Sequence, residues 1–396
     1  MKGSKEAVIV SAVRTPMGSF NGVFSSLPAT KLGSFAINEA LKRIDLSGEL
    51  IDEVYMGCVL SAGLGQAPAR QASLGAGLPY SVGATTVNKV CGSSLVTVMM
   101  AARAIRLDEA NILIAGGMEN MTGAPYLLTK ARQGYRLGHG ELVDSLVKDG
   151  LWDVYNDFHM GTAGELCASK YHLTRQELDD FAMESYRRAR MAIASGAFKQ
   201  EIVPVEVPQK KGNPMVVTND EEPNRVNLDK LTTLQPIFQE DGVLTVGNSP
   251  SCNDGAAALV IMAEEEATRR KITPMARIVG YAGAALAPEW FTIAPVDAIR
   301  KVLKQTGLSI NEIDLFEINE AFSCVALAIN RELDLDPTIV NVNGGAVALG
   351  HPIGATGARI LTTLLYALKA RGGHRGIASL CIGGGEALAI VIERMN

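Results

Sequence analysis

The stretch Thr85-Thr86-Val87-Asn88-Lys89-Val90-Cys91-Gly92-Ser93-Ser94-Leu95-Val96-Thr97-Val98-Met99-Met100-Ala101-Ala102, closed by Ile112-Leu113-Ile114-Ala115-Gly116-Gly117, holds the architecture in miniature. Residues 85–90 read as a short strand running into a Gly-Ser turn. Residues 95–107 read as a helix with almost no polar face, the mark of a helix buried all round. Residues 112–115 are wholly apolar, as strands are when both faces of a parallel sheet are covered. Strand, turn, buried helix and strand make an α/β unit.

The alternation extends outward. Strands are expected over 7–13, 54–56, 255–262, 276–285, 315–318, 339–342, 377–380 and 387–392. Helices are expected over 27–44, 67–76, 295–306, 320–333 and 357–370. Between Met118 and about Gly247 the character changes to charge clusters, prolines and loops, with helices over 162–171 and 174–194. The second of these opens on Thr174 with Glu177 three residues later, a capping-box spacing. This region reads as an insertion. The two ends look alike: strand, Cys91-Gly92-Ser93, apolar helix, strand, Gly116-Gly117, then strand, Gly354-Ala355-Thr356-Gly357, apolar helix, strand, Gly383-Gly384-Gly385. If that weak repeat is real, two related halves would pair their sheets around central helices.

The chain has 396 residues, 47% hydrophobic and 20% charged, which suits two or three globular domains. A net charge of -5 disfavours a general nucleic-acid binder. No apolar run approaches the ~18 residues of a membrane span. The opening residues 1–16 run straight into a strand, too short in apolar length for a secretory signal. The expectation is a cytoplasmic protein with no membrane contact. Six cysteines contain no CxxC, and five scattered histidines no HExxH, so no metal site is expected.

Four strand ends carry groups able to do chemistry. Cys91 sits where a strand meets a helix, and exposed N–H groups at a helix start favour a thiolate. A packing cysteine is the plain alternative. His351 lies among five glycines in Asn343-Gly344-Gly345-Ala346-Val347-Ala348-Leu349-Gly350-His351-Pro352-Ile353-Gly354-Ala355-Thr356-Gly357. A GxxG turn before a helix can hold phosphate, but neither GxGxxG nor GxxxxGK[ST] is present. Cys381 stands before Gly383-Gly384-Gly385, where free N–H groups can form an oxyanion hole or simply turn a hairpin. Asn319, in Glu317-Ile318-Asn319-Glu320, reads as an N-cap or as a holder of water. In α/β sheets, sites gather at the carboxyl ends of strands.

These motifs, Asn88-Lys89-Val90-Cys91-Gly92-Ser93, Asn319-Glu320-Ala321-Phe322, Gly350-His351-Pro352-Ile353-Gly354 and Cys381-Ile382-Gly383-Gly384-Gly385, resemble the thiolase family, especially its acetyl-CoA acetyltransferases. The likeness covers nearly the whole chain. It implies two similar βαβαβαββ halves in a layered αβαβα arrangement with an inserted loop domain. The halves would be 1–118 with 248–270, and 271–396; the insertion, 119–247, would supply CoA and oligomer contacts. It implies reversible Claisen condensation of two acetyl-CoA to acetoacetyl-CoA plus CoA, as in fatty-acid metabolism, through an acetyl-cysteine. Cys91 would be nucleophile, His351 its base, and Cys381 the acid/base on the second substrate. Asn319 and His351 would hold one oxyanion, the N–H groups of Cys91 and Gly383 the other. His159 and Met160, Arg225, and Ser249 or Ser251 would touch CoA. No prosthetic group is needed, and a homodimer or homotetramer is implied.

The sequence departs from the family at Ser94, Lys230, Pro250 and Glu386. Pro250 falls where related enzymes often carry a CoA-contacting serine. Glu386, if it points inward, would raise the pKa of Cys381 by like-charge repulsion. Other readings are a degradative 3-ketoacyl-CoA thiolase for longer chains, a non-catalytic acyl-CoA or lipid binder, and a cysteine hydrolase.

Overall fold

Apolar, β-branched runs become the strands of one mixed sheet in the computed structural model, which describes residues 5–395. Residues 1–4 and 396, the ends of the three-part division above, lie outside the described residues. The main strands are β1 (Ala7–Arg14), β2 (Glu53–Gly57), β3 (Gly83–Val87), β4 (Ile112–Asn120), β5 (Asn253–Ala263), β6 (Ala276–Ala285), β7 (Leu315–Ile318), β8 (Arg375–Ile382) and β9 (Glu386–Arg394). Their order is β7-β8-β9-β6-β1-β5-β4-β2-β3, with the short strand Gly18–Ser19 pairing β5 outside that row. The helices that matter for the site are α1 (Ala29–Lys42), α2 (Pro68–Gly75), α3 (Ser93–Arg106), α4 (Met160–Lys170), α5 (Arg175–Ser195), α6 (Ala294–Thr306), α7 (Ser323–Leu333) and α8 (Thr356–Arg371).

The repeat is visible in the pairing. The seam is β1 against β6, where Val8 meets Arg277 and Ile9 meets Ala276. Outward from it, β1-β5-β4-β2 and β6-β9-β8-β7 each make two antiparallel steps and then a parallel one. The first half adds β3 in parallel, and the second adds a single parallel bridge from Phe316 to Val340.

Side-chain alternation sorts each strand into two cores. In β5, Leu259 and Ile261 face the centre, where Leu95 and Ile105 of α3 pack with Ile360 and Leu364 of α8 and with Leu380 and Ile390 of the other half. Val260 and Met262 face the other way, onto Leu32 and Ile37 of α1 and Ala72 of α2. The second half repeats this, with Phe316 and Val391 against Ile299 of α6 and Val325 of α7. Helices, half-sheet, central helix pair, half-sheet and helices give the αβαβα layering. Each fully buried Leu or Ile stabilises it by about 1.5–3 kcal/mol relative to exposure.

The insertion leaves at the end of β4 and returns at the start of β5, its antiparallel neighbour. Its helix α5 has the capping box, with Thr174 accepting from Glu177 N–H and the Glu177 carboxylate accepting from Thr174 N–H. A buried ion cluster ties it down: Arg14 of β1 donates to Glu201 and to Asp220, both at 2.6 Å.

Two expected elements differ. Residues 339–342 are not a strand but a 3-10 turn, Pro337–Ile339, followed by the bridge at Val340. Asn341, at φ 46°, replaces ladder bonds with its side chain, accepting from Ile318 N–H and donating to Ile318 O, each at 2.8 Å. The helix expected from 320 begins at Ser323, because the Glu320 carboxylate is occupied by Ser185, Asn341 and the Val347 N–H.

Candidate active site

Cys91 follows a strained turn. Val90, a β-branched residue, sits at φ 46°, a conformation that costs about 1–3 kcal/mol. Ser93 holds the turn, its Oγ donating to Val90 O at 2.6 Å and accepting from Lys89 N–H at 2.9 Å. Against burial, the N–H groups of Gly383, in the hairpin turn, and of Cys91 itself favour the thiolate. Burial outweighs them and pushes the Cys91 thiol up to about 11. The thiolate expected from sequence is therefore not the resting state.

His351 faces it, with Nε2 3.4 Å from Cys91 Sγ. Gly350 at φ 98° makes this possible, since a Cβ there would lie 2.2 Å from the Asn253 amide. The same amide accepts the His351 N–H at 3.0 Å. Burial, and then the charge of Arg359, hold His351 down at about 3, so the imidazole is neutral. Below it Glu119, at the end of β4, accepts from the N–H groups of Val59, Leu60 and Gly354. The Gly354 N–H of the GxxG turn is thus already engaged by this buried carboxylate.

Cys381 lies near the end of β8 and is 1% exposed, on the face shared with α4 and α7. Burial, then the nearby Cys91, raise its pKa well above the ordinary thiol value. Glu386 plays no part: it turns away to pair with Lys89. Gly384 and Gly385, at φ 90° and 89°, reverse the chain into β9. Asn319 is buried and stands four residues ahead of α7, whose cap is Phe322, so it is not an N-cap. Its backbone N–H donates to Ser379 O at 2.9 Å, while both amide atoms have no protein partner.

A cavity of about 380 Å³ opens in front of Cys91, His351 and Gly383. His159, Met160, Phe238 and Phe322 wall it, and Ser249, Pro250, Ser251 and Cys252 form another side. His159 caps α4, Nδ1 accepting from Gly161 N–H at 3.0 Å, and its ring stacks on Phe238 at 5.0 Å. Any Cβ at Gly161 would lie 2.3 Å from that Phe238 ring. Burial lowers the pKa of His159, and with Nδ1 accepting, the neutral ring keeps its proton on Nε2. Ser249 Oγ has no protein partner, whereas Ser251 Oγ donates to Asn253 at 2.9 Å. Cys381 and Asn319 are not among the residues that line the cavity. Arg225 is not in the lining; it pairs with Glu221 at 3.1 Å. Lys230 is also outside it, in the turn Leu228–Thr233. Among the described residues no cluster of histidine, cysteine and carboxylate suits a metal ion, and no helix is long and apolar enough to cross a membrane.

Two family models match, "Thiolase, N-terminal domain" over residues 7–265 and "Thiolase, C-terminal domain" over residues 272–394. The chain belongs to the thiolase family. Among curated relatives, this thiolase is 51% identical to the acetyl-CoA acetyltransferase of Schizosaccharomyces pombe, over 98% of this chain and 99% of that one. It is 52% identical to acetyl-CoA acetyltransferase 1 of Arabidopsis thaliana, over 99% and 95%. Among solved structures, the acetyl-CoA acetyltransferase of Bacillus anthracis superposes with a TM-score of 0.97 at 41% identity, covering 100% of both chains. The Acat5 thiolase of Ascaris suum in complex with coenzyme A gives 0.94 at 44% identity, covering 99% of this chain and 100% of that one.

Several site residues of this thiolase carry weak sequence signals. Glu119 is an acid inside an otherwise apolar strand, which marks a buried, bonded carboxylate. Phe238 comes from a loop and offers no pattern at all. Asn253 and Thr356 are legible only once their contacts with His351 are known.

Proposed function

We propose that this thiolase is an acetyl-CoA C-acetyltransferase, joining two acetyl-CoA into acetoacetyl-CoA and CoA and running the reverse thiolysis. The observation that carries this reading is the 3.4 Å approach of neutral His351 Nε2 to Cys91 Sγ, with Cys381 close behind. A neutral imidazole can take the thiol proton as sulfur attacks the thioester carbonyl. The new C–S bond forms on Cys91, the bond to CoA sulfur breaks, and Cys381 gives its proton to the departing CoA while His351 keeps the proton taken from Cys91. The N–H groups of Cys91 and Gly383 converge on the sulfur and so stand beside the oxyanion as it forms. Losing one such donor typically costs ~3 kcal/mol. Cys381, now a thiolate, removes the α-proton of the second acetyl-CoA. Asn319, whose amide is free to bind a water or the enolate oxygen, and His351 stabilise that charge. The resulting carbanion attacks the acetyl carbonyl on Cys91; the C–C bond forms, the C–S bond to Cys91 breaks, acetoacetyl-CoA leaves, and the Cys91 sulfur takes back its proton from His351.

Coenzyme A is the substrate carrier and no prosthetic group is required. The largely apolar cavity suits the pantetheine arm; His159 Nε2–H donates to it beside Met160, and Ser249 is the better placed of the two candidate serines, since Ser251 is engaged. Arg225 reaches CoA only by leaving Glu221. The three-part division given above is retained. A homodimer or homotetramer is supported by the exposed edge strand β3 and by exposed Tyr126, Leu137 and Leu142 in the insertion. A cytoplasmic location and a role in fatty-acid metabolism complete the proposal. Thiolysis of acetoacetyl-CoA, measured with wild type, Cys91→Ala and Cys381→Ala, tests it: wild type turns over and both variants lose activity. Faster thiolysis of long 3-ketoacyl-CoA than of the C4 substrate would replace it with the degradative enzyme.

A further inference from the structure

Helix α8 opens on Thr356, whose hydroxyl touches two groups in a site closed to water. Oγ1 lies 2.7 Å from His351 Nδ1 and donates to Pro352 O at 2.9 Å. A hydroxyl has one proton and a carbonyl oxygen only accepts. With the threonine proton on Pro352 O, the proton in the other contact must come from Nδ1. A neutral imidazole carries one N–H, so Nε2 is left with its lone pair, and Nε2 is the atom facing Cys91 Sγ.

We propose that Thr356 is a positioning residue that selects the Nδ1–H tautomer of His351 and thereby aims a bare nitrogen at Cys91. The His351 N–H bond to Asn253 fixes the backbone, and Thr356 fixes the ring. When Cys91 gives its proton to Nε2, Thr356 Oγ1 goes on accepting from Nδ1–H and stabilises the imidazolium, as an orienting acceptor does in other catalytic triads. In the opposite tautomer an N–H would point at the thiol and no base would be present. This role rests on the reading of Cys91 as nucleophile and His351 as its base.

The test uses full-length enzyme labelled with 15N-histidine, with the His351 resonances assigned by their loss in His351→Asn. Solid-state NMR of wild type reads the tautomer directly: protonated Nδ1 and bare Nε2 are expected, and a protonated Nε2 overturns the proposal even if no variant folds. In parallel, rapid-quench mass spectrometry follows single-turnover acetylation of Cys91 by acetyl-CoA. Thr356→Val keeps the shape and removes the hydroxyl; it should slow acetylation by ~10- to 100-fold, within the usual contribution of a general base, and give mixed tautomers. Thr356→Ser should recover most of the rate and the Nδ1–H signal. Acetylation at wild-type rate in folded Thr356→Val overturns the proposal. A wild type whose acetyl group maps away from Cys91 overturns the underlying functional reading instead, and the tautomer spectrum tells the two failures apart.

Discussion

Cys91 and His351 are displaced in opposite directions, the thiol up to about 11 and the imidazole down to about 3. Each shift favours the uncharged form, so between those values the pair is thiol and imidazole rather than thiolate and imidazolium. Alkylation of Cys91 by iodoacetamide needs thiolate. Its rate should therefore climb through the alkaline range with no inflection near the ordinary histidine value of about 6.5. An acid-side inflection at pH 6–7 would mean a charged pair. The position of Cys91 was readable from its strand-to-helix junction. Its protonation state was not, because the crowding comes from residues far along the chain, around 351 and 383.

Among elements, β4 contributes more than a wall of the core. Its Glu119 joins the 59–60 loop to the turn that carries His351. Burial pushes this carboxyl up to about 7, above the unfolded value of about 4.3. The native state therefore binds more protons than the unfolded state between those values. The stability contribution of Glu119 then falls as pH rises through that window, by about 4 kcal/mol in all. Urea denaturation at pH 5 and pH 7.5 should show a smaller pH-dependent loss in Glu119→Gln than in wild type; equal losses would refute the assignment. The strand and helix order was legible because burial on both faces writes near-continuous apolar runs. The failures at 339–342 and 320–322 have one cause: Asn341 and Glu320 spend their side chains on hydrogen bonds to residues distant in sequence, which hydrophobic pattern does not record.

At the scale of the molecule, two half-sheets share the central pair α3 and α8, and the site lies where their strand ends meet. The weak repeat in element order announced this arrangement; of the cavity walls, the loop at 237–238 was silent, and that at 246–252 was reached only through the family resemblance, at Ser249, Pro250 and Ser251. The insertion is pinned by Arg14, fully buried between Glu201 and Asp220. Asp220→Ala leaves that cation half-paired and should destabilise the protein by about 3–5 kcal/mol, read as a lower urea midpoint; a change within error would refute the anchoring role. The proposed division of labour between the two thiols spans both halves. It is tested most directly by mass spectrometry of Cys381→Ala incubated with acetyl-CoA. The expected result is an acetyl group that accumulates on Cys91 with no acetoacetyl-CoA formed. An unmodified Cys91, or condensation at the wild-type rate, would contradict it.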